Sequence, residues 1–218
     1  MNFVSNLLKF SCFGLILLSM SCDKAAKDIN PEKASFFSMN DDGELIRPTN
    51  YRTWVYVGTP VTPNDMNGGK APFPEMHNVY IDPASYQIYK ATGKFRDGTI
   101  LVKELTSVGS KSAVSGKGYF MGEFTGLEAS LKSTKHFPDE PGNWAIFSFT
   151  NPAEGTLKET AAAMPTAACN ACHNAAAADD WVFTQYYPVL RDGKAAGKKA
   201  AGGVTSKLKS THSDMMGN

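Results

Sequence analysis

Asp97-Gly98-Thr99-Ile100-Leu101-Val102-Lys103-Glu104-Leu105-Thr106-Ser107-Val108 reads as a tight turn that feeds a strand rich in β-branched and aliphatic residues. Alternation puts Leu101, Lys103 and Leu105 on one face and Ile100, Val102 and Glu104 on the other. Neither face is purely apolar. The pattern alone leaves open whether Lys103 points inward or is one of the exposed lysines that are the norm.

Outward from this strand, the pattern alternates between short strands and punctuation. On the N-terminal side, Asp82 is a helix N-cap and Pro83 takes the first helical position. Tyr86 and Tyr89 sit three apart, and Gly93 stops the helix. His77 to Ile81 precedes it as a strand, and Thr59 to Pro74, with four prolines, is a long loop suited to wall a pocket. Tyr51 to Val57, after Asn50, is either a short capped helix or a strand that Gly58 ends. On the C-terminal side, Tyr119 to Leu131 and Trp144 to Thr150 are further strands. After Pro152 alanine dominates, and Ala161 to Ala178 is helix-prone. Asp180 is a candidate cap for one more short helix carrying Val182, Tyr186 and Leu190, which Pro188 would strain or end early. The expected class is α+β and β-rich: an antiparallel sheet meander with flanking helices and a C-terminal helical segment.

Residues 1–21 have the make-up of a secretory signal, with Lys9, an apolar run from Phe10 to Leu18 too short to span a bilayer comfortably, and then small residues. Ser19 and Ser21 place the cut before Cys22. A cysteine at a new N-terminus suits lipidation, although Ser19 stands where lipoprotein signals prefer leucine; the alternative is a soluble periplasmic protein. The expected organisation is a signal at 1–21, a flexible tether at 22–42, one domain at 43–191 and an Ala/Gly/Lys tail at 192–218. Lys9 is the single charge in the signal, so its removal leaves acids and bases equal in number. That balance offers no basic field for nucleic acid.

Of the four cysteines, Cys12 leaves with the signal and Cys22 sits at the cut, so Cys169 and Cys172 remain in the domain. Two are too few for a disulfide framework. They belong to Cys169-Asn170-Ala171-Cys172-His173. In a Cys-x-x-Cys-His motif, two thiols add to the two vinyl groups of one porphyrin edge, and the next histidine becomes an axial ligand of the iron. A redox dithiol does not require the histidine, and zinc needs two more ligands where His77, His136 and His212 stand isolated. The motif implies one covalent haem c held by Cys169, Cys172 and His173.

Electron-transfer cytochromes fill the sixth iron position with Met or a second His. Here the motif lies near the C-terminus. Only Met215 and Met216 follow it, in the tail, and Met164 precedes it closely on the same side. An open site for a small molecule is the expectation, against a plain electron carrier. Elsewhere, Glu128 shares its strand face with Phe120 and Phe124 if no bulge intervenes, a setting that would raise its pKa for proton transfer; the plain alternative is a surface glutamate. His77 and His136 are expected to be structural or exposed.

Several stretches resemble the cytochrome P-460 family of c-type haem proteins. They include Asn50-Tyr51-Arg52-x-Trp54, Val57-Gly58-Thr59-x-Val61-Thr62-Pro63-Asn64, Phe95-Arg96-Asp97-Gly98-Thr99, Val102-Lys103-Glu104-Leu105, Gly126-Leu127-Glu128-Ala129-Ser130, Glu140-Pro141-Gly142-Asn143-Trp144-Ala145 and Tyr187-Pro188-Val189-Leu190-Arg191. The resemblance implies a β-rich homodimer with haem between a sheet and C-terminal helices, and oxidation of hydroxylamine to nitrogen oxides. It also implies a bond from a lysine amine to a meso carbon of the porphyrin, which matches Lys103, and a proton-moving distal carboxylate, which matches Glu128. A small periplasmic cytochrome is the expected electron acceptor. The sister family, cytochrome c′-beta, lacks the lysine link and binds nitric oxide; a nitric oxide sensor or scavenger is therefore the rival expectation.

Overall fold

Five strands, Val55–Gly58 (β1), Met76–Ile81 (β2), Ile100–Val108 (β3), Met121–Lys132 (β4) and Trp144–Ser148 (β5), form one antiparallel sheet in chain order. The molecule is seen in a computed structural model that describes residues 30–193. The class is the expected one, α+β and β-rich, with helices Pro83–Thr92 (α1), Thr166–Ala176 (α2) and Pro188–Gly193 (α3). Among the described residues no helix is long and apolar enough to cross a membrane.

Helix α1 forms as its punctuation predicts. The Asp82 side chain accepts from the Ser85 amide at 2.8 Å, Pro83 occupies the first turn, and Gly93 closes the helix with φ +70°. Asp82 is fully buried and also accepts from the Ile100 amide at 3.1 Å, so the start of the helix is tied to the head of β3. Tyr51–Thr53 is a single 3₁₀ turn before β1, so the two alternatives for that stretch are both partly realised.

Both faces of the sheet are covered. Ile100, Val102, Leu127, Ala129 and Leu131 pack with Tyr51, Trp54 and Phe147 on one side. Val79, Ile81 and Leu101 pack with Tyr89, Val182 and Leu190 on the other. Each fully buried aliphatic or aromatic side chain contributes about 1.5–3 kcal/mol. Phe36, Phe37 and Met39 join the first cluster, and Met39 bridges to Leu45. Residues 34–40, expected to belong to a tether, therefore lie against the core, because their apolar side chains have a surface to bury.

Two local expectations are corrected. The β3–β4 pairing runs in register from Ile100 opposite Leu131 to Leu105 opposite Gly126, then shifts so that Thr106 faces Phe124. This bulge reverses the parity, and Phe124 ends up exposed beneath the Arg52 guanidinium, on the Glu104 side of the sheet. Phe120 falls before the strand begins. Glu128 is therefore not flanked by those two rings. Asp180 caps no helix: it has φ +41° in a turn, and Pro188 opens α3 instead of ending an earlier helix.

Candidate functional site

A cavity of about 500 Å³ lies between the sheet and the segment that follows β5, within the usual size range of cofactor pockets. Its floor is the face carrying Val79, Leu101 and Lys103, with Glu128 and Ile146 from the neighbouring strands. Its opposite wall carries Cys169, Cys172 and His173 from α2, then Trp181 and Phe183. The antiparallel register explains the floor: Val79 faces Lys103, Lys103 faces Glu128, and Ser130 faces Ile146.

Helix α2 is built from alanine-rich sequence with no side-chain cap of its own. It is anchored from outside by the Glu140 carboxylate, which accepts from the Thr166 hydroxyl and, at 3.4 Å, from the buried Asn170 amide. Positions i, i+3 and i+4 of a helix share one face, so Cys169, Cys172 and His173 all reach the cavity. Both thiols are free. Cys169 lies 3.8 Å from the Met164 sulfur, so Met164 lines the same wall, as expected. Burial pushes the Cys169 thiol up, with Glu128 adding to the effect.

His173 is held by its far nitrogen. Nδ1 lies 2.7 Å from the Trp181 carbonyl oxygen, which can only accept, so Nδ1 carries the proton and Nε2 keeps its lone pair. The ring packs edge-on against Phe183 at 4.7 Å. Burial lowers its pKa; the Lys103 charge adds to this and the Trp181 carbonyl opposes it. The Trp181 carbonyl is presented by a turn in which both Asp180 and Trp181 have positive φ, +41° and +65°. For residues other than glycine such torsions cost on the order of 1–3 kcal/mol each.

Across the cavity, Lys103 Nζ lies 2.5 Å from Glu128, and both side chains are half-buried. The ammonium stands 5.9 Å from the Phe73 ring centroid, so the long loop does supply a wall. The family model for cytochrome P460 matches residues 48–184, which is more than half of the chain and takes in both walls of this cavity.

The chain belongs to the cytochrome P460 family.

Membership marks it as a c-type haem protein. No curated protein matches the chain. The residues present fit a haem c: two free thiols on one helix face, an imidazole with a lone pair available, and a largely apolar chamber bring together the donor set and the dry surroundings that haem needs. Among the described residues no group of three or more His, Cys, Asp and Glu side chains is arranged to hold a metal ion.

The structure brings together Lys103, Glu128, Cys169, Cys172 and His173. Cys22 lies outside the described residues. His77, expected to be structural or exposed, instead lines this cavity of the cytochrome P460 chain, with its Nε2 buried and without a hydrogen-bond partner. Burial, then the Lys103 charge, pushes its pKa down to about 4. The alternation His77-Val79-Ile81 on the strand beside Lys103 is the signal that would have found it. His136 is exposed, with its ring edge-on to Phe37 at 6.1 Å.

Proposed function

We propose that this chain is an exported c-type haem enzyme that oxidises hydroxylamine to nitrogen oxides. The observation that carries the reading is the pairing of Lys103 with Glu128 on the floor of the chamber whose opposite wall bears Cys169, Cys172 and His173. Cys169 and Cys172 would hold the porphyrin through thioethers, and the His173 Nε2 lone pair would bind the iron. Lys103 would be the amine that contacts the porphyrin edge, where a covalent link would require an external two-electron oxidant to remove one hydrogen from the amine and one from the carbon. The haem, when bound, supplies an open iron position that takes up the electrons of the substrate. Glu128 accepts the protons that leave hydroxylamine. With the Lys103 amine engaged at the porphyrin edge it would carry no ammonium, and Glu128, now in an ion pair with it, would be free for that task. Val79, Leu101 and Ile146 keep the chamber apolar and limit competing water.

Around this site we read residues 1–21 as the export signal, Cys22 as a lipid anchor to a periplasmic membrane face, and residues 192–218 as a tail. A homodimer and a small periplasmic cytochrome as electron acceptor complete the proposal.

The test is tandem mass spectrometry with an optical spectrum of the purified protein. A haem peptide that joins the segment around Lys103 to the segment around Cys169, with a Soret band well to the red of ordinary c-type haem, is expected. Wild-type protein with the two thioether links alone that still turns hydroxylamine over sinks the mechanism. Thioether links alone with nitric oxide binding and no turnover makes the chain a binder of the c′-beta kind.

A further inference from the structure

The turn Asp179-Asp180-Trp181-Val182 is closed by the Val182 amide donating to the Asp179 carbonyl at 2.8 Å, with positive φ at both central residues. That is the torsional signature of a type I′ turn, which ordinarily takes Asn-Gly or another glycine-bearing pair. Aspartate tolerates the left-handed region; tryptophan, bulky at Cβ, does not favour it. Contacts on every side hold the turn there. Lys132 Nζ stands 3.1 Å from one Asp180 carboxylate oxygen and 3.2 Å from the other. The Trp144 indole donates to Asp180 at 3.4 Å. Tyr89 donates its hydroxyl to Asp179 at 2.8 Å.

Gly142 completes the enclosure. It has φ +62°, its carbonyl accepts from Lys132 at 2.6 Å, and a methyl group in place of its hydrogen would come within 2.6 Å of the Trp181 ring. The end of β4, the start of β5 and α1 thus converge on a strained turn. What the strain delivers is the Trp181 carbonyl, 2.7 Å from His173 Nδ1.

We propose that Asp180 is a positioning residue for His173. Its ion pair with Lys132 and its bond from Trp144 hold the left-handed turn, and the turn fixes the carbonyl that orients the imidazole and raises its basicity toward the iron. The proposal rests on His173 as axial ligand. It names the control of the bond from His173: a firmly held, electron-rich imidazole would keep its hold on the iron when nitric oxide binds and would lower the midpoint potential.

The experiment compares haem-loaded wild type, Asp180→Ala, Asp180→Asn and Lys132→Met by resonance Raman of the ferrous state, potentiometry, and the spectrum of the nitric oxide adduct. In Asp180→Ala the iron–histidine stretching band shifts down, the potential rises, and the five-coordinate share of the nitric oxide adduct grows. Asp180→Asn, which keeps an acceptor for Lys132 and Trp144 and tolerates positive φ, restores the wild-type band. Lys132→Met shifts the band in the same direction by less, and decides the matter if the alanine variant does not accumulate with haem. A wild-type band and potential in both Asp180→Ala and Lys132→Met overturns the role of Asp180, as do equal shifts in the Asn and Ala variants. A wild-type protein with no iron–histidine band overturns the ligand assignment itself.

Discussion

Lys103 and Glu128 face each other across adjacent antiparallel strands, with the ammonium 2.5 Å from the carboxylate, on the floor of the cavity that Cys169 and His173 line from above. The pair is half-buried, so each member loses hydration that the other restores. The proposed link from the amine to the porphyrin would remove one half of that arrangement and leave the carboxylate free to work as a base. Glu128→Gln keeps the shape and the hydrogen-bonding oxygen but cannot take a proton. Hydroxylamine turnover by this variant is expected to fall at least about 100-fold, the scale of a lost general base, with haem content and nitric oxide binding retained. Steady-state kinetics beside a haem assay check this. Turnover within a few fold of wild type removes Glu128 from proton transfer.

Haem attachment is separable from folding of the sheet, because Cys169 and Cys172 enter the cavity from α2 alone. Changing both to Ala should give protein whose haem extracts into acidified organic solvent, while wild-type haem stays with the chain. Extraction from the wild type overturns covalent attachment.

The distribution of what was legible follows from the range of the interactions. Helix α1 was readable because Asp82, Pro83 and Gly93 act within a few residues of themselves. The α2 motif was readable because helical spacing alone brings Cys169, Cys172 and His173 to one face. Parity beyond Gly126 was not, since the bulge that turns Phe124 away from Glu128 arises from pairing with β3. His77 was half legible: its alternation with Val79 and Ile81 puts it on the cavity face, while the Phe73 ring 6.5 Å away comes from a loop that no local pattern places there. The left-handed turn at Asp180 and Trp181 was hidden for the same reason: local preference argues against it, and Lys132, Trp144 and Tyr89, all distant in sequence, hold it in place.

Asp82 carries stability rather than chemistry. It is fully buried, caps α1 at Ser85, accepts from the Ile100 amide, and lies 3.4 Å from Arg96. Asp82→Ala removes the acceptor for two backbone donors and strands the Arg96 charge, at a cost of about 3 kcal/mol. Thermal unfolding should show a melting temperature lower by roughly 10 °C, given ~2–4 °C per kcal/mol for a chain of this size. A shift under about 2 °C, half the loss that one cap alone brings, would mean the cap and the β3 tie are redundant.

His77 makes stability depend on pH in a defined window. Its folded pKa is pushed down to about 4 from an ordinary 6.5, by burial first and then by the Lys103 charge. Between those values the unfolded chain binds a proton that the folded chain refuses, so stability falls as pH drops from about 6.5 toward 4. Above 6.5 neither state is protonated, and below 4 both are, so the contribution is flat on either side. The full gap corresponds to about 3 kcal/mol, and partial solvent contact reduces this to ~1–2 kcal/mol. Carboxylates also titrate at the lower end, so the informative quantity is a difference between two proteins. Urea midpoints for wild type and His77→Leu, measured at pH 7.5 and again at pH 4.5, isolate it. The wild type should lose more stability across that interval than the variant, by the amount given. Parallel losses in the two proteins would mean that the folded His77 takes up its proton freely.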